Sequence, residues 1–541
     1  MTNPPTAELA GTPPEPEPRS ARGAGGTIVR AAGIMIIATL ASRVLGQLRE
    51  TAIAAWFGQT GLTDVYRQSF RLPDMLFLMI AGGALSSSFV PVFTDYYKNG
   101  KEDEAWKFFS IVTTFMALVL LVLILFGEIF ARQLVPLLAP GFSSAKLDAT
   151  THLTRIVLPA QFCFFIGGLM MATFNVRGRF LVPALGPIIY NLAIIIGGWL
   201  GHKTGIAGLS WGALIGAVLG IFLLQFFYLR RLGLRFRPSL ELRHPGVVKA
   251  GKLVLPVLIG LSLPQFFSAI NGFFASWLAD GTISILDNAN KLMQAPLGIF
   301  AQAIGIAIFP TMAAMASRGE MQDYRATFLK GLRVMWFITL PLSLLMMVLA
   351  PEIISVLLQY KKFTAADTRL TATALVCYCT GLFAFSSQAL LNRAFYAVQN
   401  TITPLVIGTL STVVFIILNL LLIGPLGFKG LALAGSLAAI LHVLWMTWTL
   451  RAKVGMPLRG LTGSFLKFLL AGLLSAGVGW LVRGWLLAAC ARADVPGKAT
   501  ALLTIGVVSA VSGCLYLALM HFIGSEEMQY AKNVLLRRRK V

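Results

Sequence analysis

The chain has 541 residues, of which 57% are hydrophobic and only 12% charged, with a mean hydropathy of +0.77. A water-soluble domain carries roughly 25% charged residues, so that class is excluded and lipid is the expected solvent. A formal charge of +23 is compatible with nucleic acid, but the basic residues gather at the ends of apolar runs, where they meet lipid head groups and set orientation; nucleic acid is not an expected partner.

In chain order, residues 1–26 are rich in Pro, Ala, Gly and Glu and are expected to form a disordered cytoplasmic tail, because they cannot bury a core. Apolar runs long enough to cross about 30 Å of hydrocarbon as helices follow. They place spans at 28–57, 64–93, 106–130, 152–177, 181–201, 206–229, 250–279, 283–315, 327–350, 369–397, 402–423, 428–450, 463–485 and 499–522. The expected fold is therefore an all-α polytopic membrane protein of fourteen transmembrane helices. The first run is too long for a secretory leader and contains arginine, so no cleavable signal is expected. With the amino terminus inside, 28 Lys and Arg fall on cytoplasmic segments and 11 on outer ones. Both termini are thus expected in the cytoplasm.

Spans one to twelve read as two copies of one unit. Arg71-Leu72 recurs as Lys291-Leu292, Phe174 with Pro183 as Phe395 with Pro404, and Gly205-x-x-Gly208-Leu209 as Gly427-x-x-Gly430-Leu431. The offsets are 220, 221 and 222, so separate landmarks agree on one period. The domains follow: an amino-terminal six-helix lobe at 27–231, a basic cytoplasmic linker at 232–247, and a second six-helix lobe at 248–453. Helices thirteen and fourteen occupy 454–523, and a basic tail at 524–541 ends in an inner-leaflet anchor. Six spans per copy is an even number, so the copies are parallel, and carriers built this way hold cargo near mid-membrane between the halves.

Six cations lie within the spans: Arg43, Arg49, Arg67, Arg71, Lys291 and Arg393. Each costs at least about 2.5–3.5 kcal/mol in hydrocarbon, so the group calls for a wet cavity and an anionic cargo. Asp64, Arg67, Arg71 and Asp74 are spaced to form one stripe along a helix. Arg43 and Arg49 cannot share a stripe but can reach one cavity, with Glu50 the nearest acid. By the repeat offset Lys291 matches Arg71 and Asp287 matches Arg67, so a cleft between the copies is lined by cations from both sides. Guanidinium suits bidentate recognition of phosphate. Arg43, Arg49, Arg71 and Lys291 are the substrate-binding candidates. Arg67 and Arg393 lie near span ends, where snorkelling or pairing is expected, Arg67 with Asp64 or Asp74. In a purely structural reading, Arg49 pairs near Glu50 and Lys291 with Asp287.

The five cysteines form no CxxC pair, and the five histidines have no metal-ligand spacing. His442, deep in a span, is expected to pack or to bond a neighbouring helix. No phosphate-binding glycine loop with lysine is present, and the short loops offer no catalytic constellation. Neither enzyme activity nor a cofactor is expected; coupling to a counter-ion remains open, with no ion identified.

Ser42-Arg43-Val44-Leu45-Gly46, Arg49-Glu50, Thr63-Asp64, Arg71-Leu72-Pro73 and Phe89-Val90-Pro91 together resemble the start of the MurJ/MviN family, lipid II flippases of the multidrug/oligosaccharidyl-lipid/polysaccharide exporter superfamily. Asn175, Arg179-Phe180 with Pro183, Ala289-Asn290-Lys291-Leu292-Met293 and Gln359-Tyr360-Lys361-Lys362-Phe363-Thr364 extend the likeness over about 28–525. The resemblance implies that Arg43 and Arg49 are cavity arginines acting on a lipid-linked pyrophosphate. It makes Asp64 a functionally sensitive acid of span two, which joins the four cations as a fifth substrate-binding candidate, and Lys291 the occupant of a cavity arginine's place. Spans thirteen and fourteen would shape a groove for the polyprenyl tail. Phe77 and Leu78 stand where the family usually has cavity arginine, Gly82 where it has an acid, and Asn290, Lys291 and Gln294 where Asp, Arg and Glu are common. The expected activity is translocation of lipid-linked peptidoglycan precursor to the outer leaflet by alternating access. The alternatives are another polyprenyl-pyrophosphate glycan as cargo, or a transport-inactive cell-wall scaffold. Membrane lipids are expected partners, and no protein partner is indicated.

Overall fold

Backbone amides in hydrocarbon must bond within their own segment, which favours helices, and among the described residues the protein has no strand. The structure, a computed structural model, describes residues 21–81, 88–203, 205–252, 263–456 and 460–529. The expectations for residues 1–20, Gly82 and the terminal anchor lie outside them.

The first lobe runs α1 (Ala21–Phe57), α2 (Gly61–Ser69), α3 (Arg71–Ala81), α4 (Val90–Lys98), α5 (Glu102–Leu138), α6 (Ser144–Val157), α7 (Ala160–Val176), α8 (Leu181–Gly201), α9 (Ala207–Gly216) and α10 (Leu224–Arg231). The second runs α11 (Leu263–Ala275), α12 (Thr282–Pro296), α13 (Gln302–Ser317), α14 (Met321–Val348), α15 (Ala350–Leu358), α16 (Ala365–Cys379), α17 (Leu382–Ala397), α18 (Ile402–Leu426) and α19 (Phe428–Val454). Then come α20 (Leu461–Arg492) and α21 (Gly497–Phe522). Wider π-helical turns at Ala217–Leu223 and Leu297–Ala301 join α9 to α10 and α12 to α13. The second turn directly follows Pro296, whose ring cannot sit in an undisturbed helix.

Among the described residues ten helical stretches are long and apolar enough to cross a bilayer, and the bent pair α16–α17 makes an eleventh. The three other expected spans fall on α1, on α2 to α4 either side of 82–87, and on α11 beside 253–262. The second lobe repeats the helix order of the first. Even a break is repeated: α6 gives way to α7 at Leu158-Pro159, and α16 to α17 at Thr380-Gly381, 222 residues later. Within the first lobe α8 and α9 pack backbone to backbone, since a Cβ on Gly197 would lie 2.3 Å from the carbonyl oxygen of Gly208. Small residues at that seam give dispersion contact that lipid cannot replace.

Where the apolar cores sit fixes the state of the molecule. At one end the lobes share a core: Ile53, Phe57, Val65 and Phe142 pack with Phe274, Ile283, Leu358 and Phe363. At the opposite end each lobe has its own, built around Phe93, Trp106 and Phe108 in the first and around Tyr324, Phe328 and Phe395 in the second. The two lobes are therefore closed together at the end bearing the 57–61 and 276–282 turns. The basic linker is strapped to the first lobe by Lys107–Glu241 at 2.8 Å, His244–Glu104 at 3.1 Å and an Arg235–Asp103 pair, and Lys249 just beyond it bonds Asp95 at 3.3 Å.

Candidate functional site

Two facing helices carry the site. Arg43, Gln47 and Glu50 are four and three residues apart and so share a face of α1. On α12 and α13, Lys291, Gln294 and Gln302 form an accessible polar stripe among apolar neighbours. The helices run antiparallel. Lys291 reaches Glu50 (2.8 Å), and two turns further along each helix the Arg43 guanidinium lies against Gly298, 3.5 Å from where a Cβ would stand. The Lys291 side chain is 46% accessible even while bonded, so open space lies beside it.

Glu50 is the hub. Its carboxylate accepts from Arg49 (2.8 Å), Lys291 (2.8 Å) and Arg67 (3.1 Å), although its side chain is only 9% accessible. A second carboxylate, Asp287 on α12, takes Arg71 at 2.8 Å and Arg67 at 3.5 Å. Arg67 also donates to Asn288 Oδ1 (2.6 Å), and Arg71 to Ser268 Oγ of α11. Around Arg43, Arg49, Arg67, Arg71 and Lys291 stand four acids: Glu50, Asp287, Asp74 and, beside Arg67, Asp64. One positive charge is left over. The Nε atoms of Arg49, Arg67 and Arg71 are buried without an acceptor. A site with surplus positive charge and unspent guanidinium donors, at low dielectric, is built to attract an anion with several oxygens.

The structure brings three of the five residues picked from sequence into one ion-pair network between the lobes, Arg49 and Lys291 on Glu50 and Arg71 on Asp287, with Arg67 joining the two acids; Arg43 lies against Gly298 two turns away. Asp64 stands apart. It is 2% exposed, and its two oxygens accept from the backbone N–H of Gly281 (2.7 Å) and Ser284 (2.8 Å) in the other lobe. It thereby caps the free amides at the start of α12, whose own N-cap position is the glycine Gly281. Nearby, Lys146 pairs with Asp280, and the Gly141 N–H donates to Ser276 Oγ at 3.0 Å. These groups form a latch across the shared core.

Two pairings considered from the sequence are not the ones formed. Arg67 bonds neither Asp64 nor Asp74 and does not snorkel; it is 7% exposed and crosses to the other lobe. Asp64 keeps both oxygens on the backbone amides of Gly281 and Ser284, while Glu50, Asp287 and Asn288 lie within reach of the Arg67 guanidinium. Lys291 takes Glu50 instead of Asp287. Arg393 donates to the neutral Gln302 Oε1 (2.7 Å) and leaves its Nη1 without a partner. His442 makes the expected helix–helix bond, to Ser411 Oγ at 3.0 Å. Glu50 and Asp287 were visible in the sequence only as intramembrane acids; for Asn288 and Ser268 no signal existed. Phe77 packs edge-on against Phe164.

Beside the polar stripe, a groove of about 290 Å³ runs between α14, α20 and α21. Phe300, Phe337, Pro341, Gly472, Ser512 and Tyr516 line it, and Phe300 belongs to the same π-helical turn as Gly298.

Residues 53–491 match the model of the lipid II flippase MurJ family. The chain is 31% identical over 459 residues to a probable lipid II flippase MurJ of Bdellovibrio bacteriovorus, covering 82% of this chain and 86% of that protein. It is 29% identical over 450 residues to the lipid II flippase MurJ of Burkholderia cenocepacia, covering 81% and 87%. Its fold is similar to that of a solved lipid II flippase MurJ in an inward closed conformation, with a TM-score of 0.75 at 24% identity over 91% of this chain and 99% of that one. A multidrug MATE-family transporter of the MOP superfamily, in an inward-facing conformation, is a more distant likeness, with a TM-score of 0.58 at 15% identity over 79% and 98%. On the family match and these relatives together, the chain belongs to the lipid II flippase MurJ family.

Proposed function

We propose that this protein moves lipid II, a lipid-linked peptidoglycan precursor, from the inner to the outer leaflet of the bacterial plasma membrane by alternating access. One observation carries the reading: a cation cluster shared by the two lobes, with surplus positive charge and an open flank at Lys291. The pyrophosphate competes with Glu50 and Asp287 for Arg49, Arg71 and Lys291. Arg43, two helical turns or roughly 10 Å toward the amino-terminal end, meets the headgroup on its way in. The polyprenyl tail stays in lipid, with the groove of α14, α20 and α21 as its protein wall.

The excess of Lys and Arg at the amino-terminal end argues that this end is cytoplasmic; the latch then closes the outer side and the open side faces the precursor's source. No bond is made or broken in this cycle and no cofactor takes part. An inside-negative potential assists outward movement by about 2.3 kcal/mol per net negative charge per 100 mV. Cluster cations that neutralise the cargo weaken that assistance, so a counter-ion is a reasonable partner in the return step.

The test is complementation of a bacterium depleted of its lipid II flippase. The wild-type chain is expected to rescue growth, and Arg43→Ala, Arg49→Ala and Lys291→Ala to lose rescue at equal expression. Rescue undiminished by the triple change would defeat the site assignment; verified expression without any rescue by wild type would defeat the cargo.

A further inference from the structure

The groove and the cation cluster read two ends of one substrate, yet among the described residues no ion pair joins α20 or α21 to the cluster. We propose that α15 is a strut carrying the state of the groove to the headgroup helix and the latch, with Glu352 and Arg483 as its positioning pair. This rests on the groove and cluster roles given above.

On the groove side, Arg483 of α20 sends both Nε and Nη2 to Glu352 Oε1, each at 2.8 Å. Glu352 is 5% exposed. Lys498, in the first turn of α21, donates to the carbonyl of Ser355 and lies 3.9 Å over the Tyr360 ring. Leu349, Leu486 and Val508 fill the joint between the same helices. On the other side, Thr51 Oγ1 of α1 donates to the Leu357 carbonyl (2.6 Å), and the Lys362 N–H to the Ala55 carbonyl (3.1 Å). Thr51 directly follows Glu50, the hub of the cluster.

The last carbonyls of a helix lack partners inside it. In α15 two of them are taken by outside groups, one from the groove and one from the opposite lobe. A lysine there also suits the negative end of the helix dipole. Five residues separate Glu352 from Leu357, about 7.5 Å of helical rise, too short a rod to bend. A chain of contacts alone does not establish coupling; a two-state element does. The strut supplies such an element if the Thr51–Leu357 and Lys362–Ala55 bonds, which join the two lobes, break as the latch opens. A buried ion pair contributes little net stability over an apolar pair but fixes a register strongly. Coupling through the strut is reciprocal: a tail in the groove biases the latch, and the latch biases tail affinity.

The full chain, with Cys514→Ser to remove its exposed thiol, is reconstituted with spin labels at Ser144→Cys and Ala366→Cys, on the two lobes. The distance distribution is recorded alone, with polyprenol, and with polyprenyl pyrophosphate. In the wild-type background polyprenol alone is expected to change the closed-to-open ratio. Arg483→Gln and Glu352→Gln are expected to cut that change at least fivefold while leaving polyprenyl pyrophosphate bound, and Arg483→Lys to restore most of it. Equal responses in Arg483→Gln and wild type would overturn the strut. So would a wild-type response to polyprenyl pyrophosphate without any to polyprenol, which leaves the headgroup reading standing. If neither lipid acts on wild type, the functional reading falls. The strut is then decided on the ligand-free distances: broadened in Arg483→Gln supports it, and unchanged refutes it.

Discussion

Asp64 offers the sharpest test of the latch. Its two carboxylate oxygens accept from Gly281 N and Ser284 N across the lobe interface, at 2.7 and 2.8 Å, in a site that water hardly reaches. A hydrogen bond to a charged group contributes about 1.5–3 kcal/mol. Asn keeps one acceptor and turns an N–H donor toward the second amide, so Asp64→Asn loses one such bond. With the latch open, both versions of the side chain are solvated, so the whole loss falls on the closed state. The closed-to-open ratio should drop about 10- to 150-fold, at 1.4 kcal/mol per factor of ten. Asp64→Ala loses both bonds and strands two amides, and should open the latch further still. Spin-label distances between Ser144→Cys and Ala366→Cys read this directly, as a shift to longer separations in the order Ala, Asn, wild type. An unchanged distribution in Asp64→Ala would refute the capping argument.

Other perturbations follow from the same geometry. Glu50→Gln frees Arg49, Lys291 and Arg67 from their shared carboxylate; equilibrium binding of polyprenyl pyrophosphate should tighten several-fold while transport in vesicles slows, because the hub no longer takes the cations back. Arg67→Ala leaves Glu50 and Asp287 with fewer partners in a buried setting and should lower thermal stability, by about 3–5 kcal/mol for a broken buried pair. Arg43→Ala, at an exposed side chain without a hydrogen bond or ion pair among the described residues, should leave the melting temperature near that of wild type and reduce uptake of the substrate. Gly197→Val forces a side chain into the carbonyl of Gly208 and should cost about 1–3 kcal/mol by overpacking, read in detergent melts.

The cations were legible in the sequence because hydropathy alone says where a charge is out of place. So was the repeat, and it carries a consequence: Asp64 with Ser284, and Arg67 with Asp287, are each 220 residues apart and touch across the interface. Equivalent positions of two parallel copies meet where the copies face each other. Partner identity was not legible, since it depends on how α1, α2 and α12 are rotated against one another, which brings Arg67 to Glu50, Asp287 and Asn288. Residues 351–368 read as an outer loop because nine residues of helix are too short to register as a span, although α15 carries Glu352. The ends of α5, expected at 106–130 and found at 102–138, extend past the apolar run; at its start the acidic Glu102, Asp103 and Glu104 suit the positive end of the helix dipole although they are polar.

The central claim is that cations from both lobes converge to hold phosphate, and a binding comparison addresses it most directly. Polyprenyl pyrophosphate and the uncharged polyprenol are titrated against the reconstituted wild type and against Arg71→Gln/Lys291→Gln. The wild type should prefer the pyrophosphate by at least tenfold, with the preference weakening as salt rises, and the double variant should bind the two lipids alike. An undiminished preference in the double variant would place the phosphate elsewhere and contradict the account.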